Sequence, residues 1–204
     1  MKFQRKFSSA KDALIEEGVV VGRETKVWNG AQIRSGAVIG NNCVIGRDVF
    51  IDHGVIVGNN CKIQNNAQLF SPSLIGDGVF IGPGVILTND EQPRAVNSLG
   101  NLKTEEDWNP VRVEVREGAS LGAGVICVAP IIIGRWSMVG AGAVVTEDIP
   151  DYALSVGVPA KRIGWVGKFG RRLVAQDGSQ ENWICPSTGE VYKEFSGKLE
   201  RLNV

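Results

Sequence analysis

At every sixth residue from Ile15 to Leu87 the side chain is Val, Ile or Leu: Ile15, Val21, Val27, Ile33, Ile39, Ile45, Ile51, Val57, Ile63, Leu69, Ile75, Ile81 and Leu87, thirteen positions without an exception. A helix repeats every 3.6 residues and a strand every 2, so a strict six belongs to neither, and self-similarity at a short fixed period marks a solenoid. Gly40-Asn41-Asn42-Cys43 returns as Gly58-Asn59-Asn60-Cys61 eighteen residues on. Three hexads therefore make one turn, and residues eighteen apart stack. Four residues after each aliphatic position sits a second, mostly small side chain, as at Thr25, Ala31, Ala37, Cys43, Cys61, Ala67 and Ser73, so aliphatic and small residues together fill a narrow triangular interior. Glycine often follows the aliphatic residue (Gly22, Gly40, Gly46, Gly58, Gly76, Gly82), where a sharp corner is the expected reason for it. Coils are expected to stack about 4.7 to 4.9 Å apart with parallel pairing.

The phase breaks after Leu87 and returns at Val115, Leu121, Cys127, Ile133, Val139 and Val145, a gap of 28 residues where 24 or 30 would keep register. A loop is predicted at about 88–112. It is polar, is broken by Pro93 and Pro110 and carries Trp108; a long excursion holding a large aromatic reads as functional. The predicted organisation is a parallel β-helix domain over 1–149 with this inserted loop, followed by a tail over 150–204. In the tail, 150–173 has helix-compatible stretches between glycines and prolines, and NWICPSTGEVYKEF reads as a hairpin.

The 204 residues carry 22 basic and 22 acidic side chains. Zero net charge and the lack of a basic stripe argue against nucleic acid. No apolar run has the length of a membrane span or a signal peptide, so a cytoplasmic location is expected. Cys43, Cys61 and Cys127 fall at inward positions and read as small core residues of a reducing compartment; a Cys43–Cys61 disulfide is not expected there. Cys185 precedes a proline as in half a zinc knuckle, but no further ligands lie in the tail, so no metal site is expected.

The hexads, the loop after Leu87-Thr88-Asn89-Asp90, and GAGAVVTEDIPDYALSVGVPAKRIGW resemble the hexapeptide-repeat acyltransferases with a left-handed parallel β-helix. The run from Val27 to Trp165, including KIQNNAQLF at 62–70, is similar to bacterial nucleotide-sugar N-acetyltransferases acting on a 3-amino sugar such as UDP-2-acetamido-3-amino-2,3-dideoxyglucuronate. The resemblance implies left-handedness, acetyl-CoA as acyl donor, a UDP- or dTDP-amino sugar as acceptor, a homotrimer with sites between neighbouring coils, and a place in surface polysaccharide biosynthesis.

It also implies site residues. Asn89 would meet the reacting amine, with Asp90 beside it. Counting back by eighteen puts Ser71 and His53 on the same corner. His53 is the only histidine and a candidate general base. Gly122, Ala123, Gly140 and Ala141 offer a bare corner for the pantetheine arm of CoA; Lys161 and Arg162 match the segment that reaches its phosphates; Arg94 is a candidate for the phosphates or carboxylate of the sugar nucleotide. A 4-amino sugar, or O-acetylation using His53 as base, are the alternative chemistries. A γ-type carbonic anhydrase needs three histidines on zinc, and a scaffold or ice-binding solenoid needs regular faces that these heterogeneous corners do not supply.

Overall fold

The computed structural model describes residues 7–176, 178 and 181–202. The six-residue phase becomes two-residue strands, each ending on the aliphatic position: Lys26–Val27, Gln32–Ile33, Val38–Ile39, Val44–Ile45 and onward. Successive strands belong to three different sheets, and every third strand pairs in parallel with a register of eighteen residues, as in Val44↔Lys62 and Ile45↔Ile63. The result is a three-sided prism. Face one includes Lys26–Val27 and Met138–Val139, face two Gln32–Ile33 and Val144–Val145, and face three Val38–Ile39 and Ile131–Ile133.

The second residue of each strand turns inward because neighbouring strand residues point to opposite sides. Ile33, Ile45, Ile63, Leu69, Ile81, Leu87 and Leu121 are fully buried, as are the small residues Ala31, Ala37, Cys43, Cys61 and Ala67 between them. Each large aliphatic side chain removed from water contributes about 1.5–3 kcal/mol. Ile15 and Val21 are only half-buried, since they lie in the first described coils. The four cysteines are free thiols. Cys43 and Cys61 stack one coil apart and point their Sγ atoms at the carbonyls of Gly58 and Gly76, each at 3.1 Å, and burial pushes the Cys127 thiol up to about 12.

The glycines after the aliphatic residues need a different reason from the bend. The left-handed residue of each corner comes two positions later, at Glu24, Asn42, Asp48 and Asn60, with φ of 55–59°. Gly40 instead lies against the next coil: a Cβ there would sit 2.6 Å from the Gly58 carbonyl carbon. Along this edge, between faces three and one, side-chain carbonyls tie coil to coil. Asn41 Oδ1 accepts the N–H of Arg23 at 2.8 Å, and Asn59 Oδ1 that of Asn41 at 2.9 Å.

The loop leaves after Ile86–Leu87 on face two, and the chain resumes at Val113–Val115 on face three, where Ile75 pairs with Val115. The insertion therefore replaces one corner and leaves the rest of the prism in register. Parallel pairing continues past Ile149. Val139 pairs with Ser155 sixteen residues on, where Leu121 pairs with Val139 at eighteen, so the last rung is two residues short.

The helical segment expected in 150–173 is not formed. Ala153–Val156 and Lys161–Trp165 make an antiparallel hairpin on the open edge of face one. Its stretches between Gly157, Pro159 and Gly164 are too short to propagate a helix, and the unpaired strand edge supplies backbone partners instead. The hairpin predicted for NWICPSTGEVYKEF is present, Asn182–Ile184 against Val191–Phe195, within a sheet completed by Val174–Ala175 and Lys198–Arg201. This sheet caps the coil. Tyr192 packs on Tyr152 with ring centres 5.5 Å apart, and the Trp165 indole donates to Glu194 at 2.6 Å. Among the described residues no helix is long and apolar enough to cross a membrane.

Candidate active site

The eighteen-residue register places Arg34-Ser35, Asp52-His53, Phe70-Ser71 and Thr88-Asn89 on successive coils of one edge, between faces two and three. His53, Ser71 and Asn89 are thus stacked as their spacing predicts. Asn89 closes the mouth of the loop: its Nδ2 donates to the Ser71 carbonyl at 2.7 Å, and its own carbonyl accepts the N–H of Val111 at 3.0 Å. Thr88 Oγ1 accepts the Ala129 N–H at 3.0 Å. Asp90 Oδ1 accepts the Gln92 N–H at 2.8 Å, which turns the chain outward, and Arg94 is exposed.

Sequence reasoning passed over Asp52, the residue that organises this edge. It is buried, with 7% of its surface exposed. Its Oδ1 accepts Arg34 Nη1 at 2.8 Å and the His53 N–H at 2.8 Å, and lies 3.2 Å from His53 Nδ1; its Oδ2 accepts the Ser71 N–H at 3.3 Å. Burial pushes this carboxyl up, but the N–H groups of His53 and Ser71, the His53 ring and Arg34 together outweigh it and hold the group below the usual carboxylate range. The available signal was adjacency: an acid directly before the single histidine, at a corner where one residue tucks inward.

The loop descends along this edge. Thr104 and Asp107 bond reciprocally around the single turn Glu105–Asp107, the Thr104 N–H reaching Asp107 Oδ2 at 3.0 Å. That turn sets Glu105 and Trp108 opposite Arg34, Ser35, Asp52 and His53, and an open cleft of about 650 Å³ lies between them.

The residues predicted to hold the pantetheine arm lie on a different edge, between faces one and two. Gly122-Ala123-Gly124 and Gly140-Ala141-Gly142 are stacked there, with Gly124 and Gly142 at φ +67° and +72° and open space beside them. Among the described residues the N–H groups of Ala123 and Ala141 have no partner, whereas their counterparts on the asparagine edge are bonded to side chains. An extended amide-bearing arm could lie against this bare edge and bond to those N–H groups. Within one chain, face two separates it from the His53–Asn89 edge. Lys161 pairs with Glu147 at 3.1 Å, with both side chains largely exposed. Arg162 stacks on Trp165 at 4.1 Å and meets Glu194 at 3.5 Å. Neither cation stands free, a fact the sequence could not show because both partners depend on the tail's fold.

Two family models match the chain on either side of the loop: the GMPPB C-terminal domain over residues 5–91 and the hexapeptide repeat of succinyl-transferase over 110–147. The chain is 44% identical over 91 residues to a dTDP-3-amino-3,6-dideoxy-α-D-galactopyranose 3-N-acetyltransferase of Aneurinibacillus thermoaerophilus, covering 45% of each chain. It is 36% identical over 74 residues to a serine acetyltransferase of Salmonella typhimurium, covering 36% of this chain and 26% of that one. The matched stretches thus span less than half of either relative. In fold the chain is similar to a UDP-N-acetylglucosamine acyltransferase from Bacteroides fragilis, with a TM-score of 0.64, 21% identity, and coverage of 78% of this chain and 61% of that one. The coil is a left-handed β-helix with a six-residue repeat, the fold of that acyltransferase.

Proposed function

We propose that this protein is an acetyl-CoA-dependent N-acetyltransferase acting on the amino group of a nucleotide-linked sugar, with a 3-amino sugar favoured and surface polysaccharide as the product's destination. The observation that carries the reading is the 44% identity to a protein named as a 3-N-acetyltransferase of a dTDP-amino sugar. Two further features support it: the polar column His53, Ser71 and Asn89 under the loop, and the bare edge at Gly122, Ala123, Gly140 and Ala141. The neutral amine nitrogen attacks the thioester carbonyl carbon. A C–N bond forms, the C–S bond breaks, and CoA leaves as its thiol with the proton that the amine gives up, relayed by His53 as base. Most of the rate comes from alignment of amine and thioester. An amine over the Ser71 corner is one coil, about 4.7 to 4.9 Å, from both His53 and Asn89. Asp90 and Arg94 at the loop mouth would face the sugar nucleotide.

Donor and acceptor edges meet only if two copies associate, so the reading includes a homotrimer in which one protomer's glycine edge faces its partner's His53–Asn89 edge. The fold has no membrane-crossing helix among its described residues, consistent with work in the cytoplasm. A hydroxyl acceptor is the second reading. The Asp52–His53 contact favours it, because a hydroxyl must lose its proton to react.

Purified protein, acetyl-CoA and a panel of UDP- and dTDP-sugars carrying a 3-amino, a 4-amino or no amino group test the proposal by thiol release. The reading requires turnover with a 3-amino sugar and none with the hydroxyl analogue; turnover only with hydroxyl acceptors contradicts it. Light scattering at the monomer mass removes the trimer.

A further inference from the structure

We propose that Asp52 is a positioning residue that locks neutral His53 as the tautomer protonated at Nδ1, leaving the Nε2 lone pair open to the cleft beside Trp108. The proposal rests on the reading of His53 as the base.

The geometry has few solutions. Asp52 Oδ1 lies 3.2 Å from His53 Nδ1 and also accepts the His53 backbone N–H at 2.8 Å. A chelated residue of this kind cannot turn its ring without losing one contact. An ionised carboxylate only accepts hydrogen bonds, so the ring nitrogen facing it must carry the proton. Asp52 is kept ionised by Arg34 on the preceding coil at 2.8 Å and by the Ser71 N–H on the following one at 3.3 Å. The other carboxylates nearby are Glu16, 3.8 Å from Arg34 Nε, and Glu105 on the loop wall; among the described residues neither bonds to the ring, whose partner is Asp52. With Nδ1 committed, Nε2 lies on the far side of a ring whose side chain is 53% exposed, on the cleft that Trp108 walls. Histidine in water prefers the opposite tautomer, with the proton on Nε2, so the arrangement reverses a default. A base needs both a free lone pair and a partner for the cation it becomes, and Asp52, 7% exposed at the cleft wall, supplies both conditions through the ring.

The chain has one histidine, so every imidazole nitrogen signal in a 15N-labelled sample belongs to His53, and no substrate is needed. At alkaline pH, long-range 1H–15N correlation should show Nδ1 as the protonated, pyrrole-type nitrogen and Nε2 as the pyridine type. In Asp52→Asn the pattern should revert toward Nε2–H, and kcat should fall about tenfold to a hundredfold with KM within about threefold. A wild-type ring protonated on Nε2 overturns the proposal, whether or not acyl transfer is found and even if Asp52→Asn does not fold. So does an Asp52→Asn protein that keeps the Nδ1–H form, or one that changes tautomer with kcat intact. A protein with the Nδ1–H ring and no acyl transfer in the panel supports the lock while removing the functional reading, so the two failures are separable.

Discussion

Asn89 donates its side-chain N–H to the carbonyl of Ser71, one coil below, at 2.7 Å. The bond fixes the loop mouth and leaves Asn89 Oδ1 open as an acceptor one coil from the Ser71 corner, over which the functional reading places the amine. Asn89→Ala should lower kcat/KM by about tenfold or more. Thermal stability should change little, since one part-exposed hydrogen bond contributes about 0.5–1.5 kcal/mol. Steady-state kinetics beside a melting curve separate the two effects.

His53 carries the base role of the functional reading. His53→Asn should reduce kcat/KM well beyond about threefold, and a smaller change ends that role.

Asp52 links the site to pH. Its folded carboxyl titrates below its unfolded value of about 3.9. The stability it contributes is therefore present above that unfolded value and is lost as pH falls through the lower folded one. In urea titrations, the deficit of Asp52→Asn relative to wild type should be full near neutral pH and should shrink below about pH 4. A deficit independent of pH would show that packing, not the ionised carboxylate, accounts for it.

Two glycines should respond to alanine for different reasons. At Gly40 the new methyl meets the Gly58 backbone at 2.6 Å, and forcing coils apart costs about 1–3 kcal/mol. At Gly54 there is open space but φ is +64°, so the cost is the left-handed penalty of about 1–2 kcal/mol. Gly40→Ala should also loosen amide exchange in the adjoining coil, while Gly54→Ala should leave exchange unchanged.

Glu194 accepts the indole N–H of Trp165 at 2.6 Å and that of Trp183 at 3.1 Å. Glu194→Ala leaves both donors without that acceptor, at about 1–3 kcal/mol for each that stays buried and unsatisfied. The tail sheet should become protease-sensitive while the coil resists. Equal resistance of both parts would contradict its role as the pin.

The coil was legible because its rule is local: an aliphatic residue every six and a small one between them give burial, register and the site of the loop, with only the gap of 28 left to interpret. What was hidden depends on partners distant in sequence. Asp52 looks like any corner acid until Arg34 and Ser71 are stacked around it, and Lys161 and Arg162 look free until Glu147 and Glu194 are folded against them. The tail's short stretches between glycines carry no period long enough to tell a helix from a hairpin, and the open edge of face one decides between them. Gly40 shows the same limit. Its residue type was informative, but contact with the next coil, not the bend, was the reason.

The central claim is that one protomer's Gly122–Gly140 edge and its partner's His53–Asn89 edge form a single site. Asn89→Ala disables one edge, and a bulky substitution such as Ala141→Trp disables the other. Unfolded together, refolded and assayed for acyl transfer, an equal mixture of these two impaired proteins should reach about a quarter of wild-type activity, above either parent, because a quarter of the clefts then receive two intact edges. Mixed oligomers that form and show no more activity than the parents would contradict the account.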